Sequence, residues 1–159
     1  MKALSNGISS IEKTLAVILM FAMAVIVTLA VCFRYILNSP LSWAGEIAVF
    51  LLIWVSFFGG SLGLKYKSQA AVTILLDYVP ANVKRIILIL GHIIMLLFLV
   101  LLIYYSVNWI LSPSVAFQKS TALLIPMWIP YLAVPLGLSF AGIHLLSNLF
   151  ELFKGGGGQ

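Results

Sequence analysis

Apolar positions fall into four unbroken runs, residues 14–36, 42–64, 86–111 and 122–150, divided by short polar stretches. A helix needs roughly 20 residues to cross a bilayer core of about 30 Å, and each run reaches that length. The runs are continuous rather than alternating at period two, which favours helices over the strands of a membrane barrel. They leave little chain over, so the pattern predicts one membrane domain over 1–154 and a flexible glycine-rich tail at 155–159. The first run is too long for a signal-peptide core of about 7–15 residues and ends in Arg34-Tyr35 rather than a small-residue cleavage pattern. It reads as a retained anchor. Ser9-x-x-Glu12 fits a capping box, so the first helix is expected to begin ahead of the membrane.

The connection between the second and third runs has a period of its own. Over 68–79, Ala71, Ile74, Leu75 and Tyr78 share one helical face, while Gln69, Thr73 and Asp77 form a polar stripe. About a dozen residues cannot cross the bilayer but suit an amphipathic helix lying on its surface, closed by Pro80 and Asn82. The expected fold is therefore an all-α integral membrane protein with four transmembrane helices and one short interfacial helix. Asn38-Ser-Pro-Leu41 makes the first two spans a tight hairpin.

Composition agrees and charge orients the chain. Of 159 residues 63% are hydrophobic and 8% charged, with mean hydropathy +1.17, far from a soluble domain. The net charge of +5 comes from residues scattered among loops rather than a basic stripe, so nucleic acid is not an expected partner. With both termini in the cytoplasm, seven basic residues lie inside (Lys2, Lys13, Lys65, Lys67, Lys84, Arg85, Lys154) and two outside (Arg34, Lys119). That imbalance predicts both ends inside. Tyr35, Trp43, Trp109 and Trp128 then sit at the outer interface.

Few residues could carry chemistry. Arg34 ends the first span and Glu46 begins the second, so the hairpin predicts an ion pair or a contact for another protein. His92 and His144 lie in the third and fourth spans, where two axial haem ligands would be placed; hydrogen-bonding between helices is the plainer reading. Gly59 and Gly63, then Ala133, Gly137 and Ala141, mark positions of close helix packing. Trp43, Phe50, Trp54 and Phe57 share a face with Glu46, and Pro126, Pro130 and Pro135 should bend the fourth span or mark its entry. Cys32 is alone, so neither an internal disulfide nor a zinc site is expected. HExxH and Walker motifs are missing, and no charged residue occupies the middle of a span. No cofactor, metal or catalytic residue is predicted, and an accessory subunit fits better than a self-sufficient pump or enzyme.

Two motifs carry a family resemblance. Arg34-Tyr35, Asn38-Ser-Pro-Leu-Ser-Trp43-Ala-Gly-Glu46 and Trp54-Val-Ser-Phe-Phe-Gly59-Gly60 come first, and Ile125-Pro-Met-Trp-Ile-Pro-Tyr-Leu-Ala-Val-Pro-Leu-Gly137 follows. Together they resemble the small membrane subunit of tripartite ATP-independent periplasmic (TRAP) transporters, the DctQ family, over nearly the whole chain. One segment departs: Lys65-Tyr-Lys-Ser-Gln-Ala-Ala-Val-Thr73 lacks the family's His and has Thr where Asp is common. The resemblance implies a non-catalytic subunit in the bacterial inner membrane. Its implied partners are a large sodium-coupled transport subunit and a periplasmic binding protein for an organic acid, such as sialic acid or a dicarboxylate. It places Arg34, Trp43, Glu46 and Trp54 at or near the contact with the large subunit. The alternative is a haem-binding anchor of a respiratory complex using His92 and His144.

Overall fold

The computed structural model describes residues 2–66 and 80–153, with the backbone alone at 81 and 82. Among these residues the chain is helical and forms no strand beyond one isolated bridge between Lys119 and Pro126. Four long helices carry the apolar runs: α1 (Lys2–Tyr35), α2 (Ala44–Lys65), α3 (Ala81–Ile110) and, after two single-turn helices α4 (Pro113–Ala116) and α5 (Trp128–Tyr131), α6 (Ala133–Phe153). Each of the four is long and apolar enough to cross a membrane, the last counted through α5. The expected interfacial helix at 68–79 and the tail at 155–159 lie outside the described residues.

α6 is the hub. It packs against α2 and α3 and touches α1, while α1 lies mainly along α2. Lipid gives helices no hydrophobic push toward each other, so close packing and hydrogen bonds must hold the bundle. Small residues on α6 permit the approach: Ala133, Gly137 and Ala141 are all buried. A Cβ on Gly137 would stand 2.6 Å from the Phe57 Cβ, so only glycine allows α2 this close. Leu99, Ala141 and Leu145 form the core of the α3–α6 contact, with Leu64, Met95, Leu96 and Leu138 around them. Phe58 is buried between Trp54 (rings 5.5 Å apart) and Phe140 (6.2 Å). Gly59 differs: it faces outward, and a Cβ there would meet nothing within 4 Å. The same residue type thus serves two environments.

Two element boundaries differ from the sequence expectation. α1 has 34 residues and at 1.5 Å each is about 51 Å long, well beyond a bilayer core. Ser9 and Glu12 lie inside it and do not cap its start. The Ser9 hydroxyl donates to the Asn6 carbonyl (3.0 Å), and Glu12 turns to another helix. The fourth apolar run is not helical from residue 122. Residues 118–127 form a hairpin, with Ser120 N–H donating to Ile125 O (2.9 Å) and Met127 N–H to Gln118 O (3.0 Å). A helix begun at residue 122 could not run on through Pro126, which has no N–H for the carbonyl four residues back, and Leu124 adopts a left-handed φ of 55°.

Candidate functional site

Two polar joints fasten the bundle, one at each end. The first joint is built on Glu46, in the first turn of α2. One carboxylate oxygen accepts from the backbone N–H of Thr121 (2.8 Å) and Ala122 (2.9 Å) and from the Thr121 hydroxyl. The other accepts from Leu123 N–H (3.1 Å). Ser120 braces the turn by accepting Ile125 N–H at its hydroxyl (3.2 Å). A negative charge at a helix N-terminus is favourable, and here it also satisfies the donors of a turn far away in sequence. The expected Arg34–Glu46 pair does not form: Arg34 is exposed and lies over the Tyr35 ring, 5.8 Å from its centroid. The reason is geometric. Asn38 takes a φ of 50° and Ser39 N–H returns to Phe33 O (3.1 Å), closing α1, while Glu46 is already held by the hairpin.

The other predicted interface residues surround this joint or lie below it. Trp43 stands half-buried at the N-cap of α2. Glu46, Gly45, Val49 and Phe50 line one side of a shallow hollow of about 380 Å³, with Gln118 to Thr121 on the other. Trp54 lies two turns further down α2, in an apolar groove with Leu15, Leu19, Ile47, Leu51 and Phe58. Arg34, Trp43 and Glu46 thus share the turn end of the α1–α2 hairpin, and Trp54 lies deeper in its wall.

The second joint, at the opposite end of the bundle, could not be read from local sequence. His144 of α6 is wholly buried, and both ring nitrogens are engaged by α1: Nδ1 with the Ser5 hydroxyl (2.7 Å) and Nε2 with the Glu12 carboxylate (2.8 Å). Lys65, at the end of α2, donates to Ser5 O (3.2 Å), Asn6 Oδ1 (2.9 Å) and the Ser9 hydroxyl. Asn148 donates to Leu64 O (3.0 Å), so α2 is bonded on both sides. Lys13 lies over the Tyr66 ring at 4.8 Å, and its hydrogen bond and charge lower the pKa of that hydroxyl just beyond α2. Arg85 closes the end of α6 by donating to Leu152 O (2.9 Å) and Phe153 O (3.2 Å).

Hydroxyl, imidazole and carboxylate are connected here as in a hydrolase triad. Yet Ser5, Glu12 and His144 are all buried, so no substrate reaches the hydroxyl in this arrangement. The haem reading finds no support either. His144 has no nitrogen left for iron, and His92 holds the Leu88 carbonyl of its own helix with Nδ1 (2.7 Å). Among the described residues no group of three or more His, Cys, Asp or Glu is placed to hold a metal ion.

The arrangement defines a multi-pass membrane protein whose polar groups serve helix-to-helix contact. A family model described as tripartite ATP-independent periplasmic transporters, DctQ component, matches residues 23–155, and the chain belongs to that family. It is similar to the isethionate TRAP transporter permease protein DctMQ of Oleidesulfovibrio alaskensis, 29% identical over 147 residues, which are 89% of this chain and 23% of that protein. It is 28% identical over 116 residues to the C4-dicarboxylate TRAP transporter small permease protein DctQ of Rhodobacter capsulatus, covering 73% of this chain and 51% of that one. With the sialic acid TRAP transporter small permease protein SiaQ of Vibrio cholerae it shares 25% identity over 154 residues, 97% of this chain and 88% of the relative. The chain thus spans about a quarter of the first of these relatives and about half of the second.

Proposed function

We propose that this chain is the non-catalytic small membrane subunit of a sodium-coupled TRAP transporter for an organic acid, in the class of sialic acid or dicarboxylates. In this reading it enlarges the static scaffold around a large, moving transport subunit and offers part of the docking surface to a periplasmic binding protein. It sits in the bacterial inner membrane with both termini in the cytoplasm. The observation that carries the reading is the family match over residues 23–155. The described structure is in keeping with it: ionisable side chains gather at the two ends of the bundle, and α1 presents a long apolar wall in which Val17, Phe21 and Val31 are at least half exposed. The positive-inside count supports the orientation. The relative named DctMQ, of which this chain covers 23%, supports a tight association with a larger partner.

The same reading assigns Arg34, Trp43, Glu46 and Trp54 to the large-subunit contact or its surroundings, with Glu46 acting through the hairpin that its carboxylate holds. Affinity purification of this chain from its native membrane in mild detergent tests the assignment. A stoichiometric companion with many more spans is expected, and a chain that comes away alone would overturn the subunit reading. Unchanged recovery of that companion with Trp43→Ala and Glu46→Ala would remove these residues from the contact.

A further inference from the structure

The first three turns of α1 have three distinct sides. Ser5, Ser9 and Glu12, spaced i, i+4, i+7, are buried against the bundle. Lys2, Asn6, Ser10 and Lys13 form a second, exposed and polar side. Leu4, Ile8, Ile11, Leu15 and Ile18 form the third, an apolar stripe that is exposed except at the half-buried Ile8, with Leu15 bordering the groove beside α2. Leu4 is 56% exposed, Ile11 61% and Ile18 57%. In this segment the protein side is polar and the outward side apolar, the reverse of a surface helix in water.

The stripe runs without a break from Leu4 into the membrane-crossing part of the helix. The polar side stops at Lys13 and Thr14, beyond which α1 is apolar all round until Thr28. The boundary of the hydrocarbon therefore lies some nine residues, about 14 Å of helix, further out on one side than on the other. A helix that crosses the membrane surface obliquely meets this condition. Its 34 residues, about 51 Å long, also leave chain to spare for such a tilt.

We infer that residues 2–13 of α1 are an interfacial lipid-binding segment and not a helix standing in water. Leu4, Ile8 and Ile11 enter the acyl-chain boundary, and the Lys2 and Lys13 ammonium groups lie beside them at the level of anionic headgroups. This inference rests on the chain crossing a membrane and is independent of the subunit role and of which side the N-terminus occupies. The Ser5–His144–Glu12 clasp fixes the rotation of the segment, turning the stripe to the lipid and the lysine side to water.

The test uses the full chain with Cys32→Ala, spin-labelled singly through Leu4→Cys, Ile8→Cys, Ile11→Cys, Asn6→Cys or Ser10→Cys. The chain is placed in vesicles of phosphatidylcholine with a quarter phosphatidylglycerol. Positions 4, 8 and 11 are expected to collide several-fold more with oxygen than with an aqueous nickel complex, and positions 6 and 10 to show the opposite preference. Nickel access at 4, 8 and 11 equal to that at 6 and 10 would overturn the inference. Access to neither reagent at 4, 8 and 11 would also overturn it, because a protein surface would then cover the stripe. As a check free of substitution, an acyl-chain photoprobe on the natural chain should mark peptides containing Leu4 to Ile11; absence of that label would count against the lipid contact.

Discussion

The two joints use the same chemical device, a carboxylate near a helix end, in opposite ways. Glu46 is half-buried and accepts mainly backbone N–H groups of one turn, so it organises a loop. Glu12 is wholly buried and meets an imidazole side chain, so it ties two long helices together. A backbone turn that loses its acceptor can recover some hydrogen bonding from water at the membrane surface. A buried carboxyl group that loses its partner cannot, and the low-dielectric surroundings magnify the loss. The difference teaches that burial and kind of partner, more than the number of bonds, set how much each joint matters.

Substitutions can break or sharpen this comparison. His144→Ala removes the only hydrogen-bond partner of the Glu12 carboxyl group among the described residues, where its Oε1 already has none, and should cost about 3–5 kcal/mol. Thermal unfolding in detergent would read this as a large fall in midpoint, and an unchanged midpoint would dismiss the His144 joint. Gly137→Val brings a side chain against Phe57, where a Cβ alone would stand 2.6 Å from its Cβ; overpacking should cost about 1–3 kcal/mol, measurable in the same melt. Glu46→Ala leaves the donors at 121–123 to water and should cost about 1–2 kcal/mol. That effect should be local, with faster amide exchange over the hairpin and little at Ser5 or Asn148; a uniform change would make the two joints one. Gly59→Ala is expected to raise the stability of the isolated chain slightly, by up to about 1 kcal/mol, since a helix interior prefers alanine and the added methyl meets nothing within 4 Å. If the same change weakens recovery of a companion subunit, Gly59 belongs to the contact between proteins rather than to this bundle.

The four spans were legible because hydropathy sums over twenty or more residues, and no local accident disturbs such a sum. The joints were not, for a common reason. Ser9-x-x-Glu12 reads as a cap at close range, whereas its carboxylate meets a residue 132 positions away. Glu46 offered Arg34 as a neighbour across a short turn, while its partners lie 75 to 77 positions on, in a hairpin with no strong pattern. Spacing also fails to tell which way a small residue faces: Gly137 meets Phe57 and Gly59 faces outward, yet both lie in stripes of small residues at intervals of four. The proline-rich entry to the fourth span was visible as a place where the helix must yield, and there the chain forms its turn and the short helix α5.

The clasp also has a position in time. Its members are separated by 132 and 139 residues. A growing chain reaches the membrane with Glu12 and Ser5 at its leading end, and His144 is added only when the last helix is being made. Until then α1 and α2 have Lys65, but no imidazole, to answer the polar seam. The opening segment of the chain therefore stays provisional through most of synthesis, and its final seating registers that the last helix has arrived.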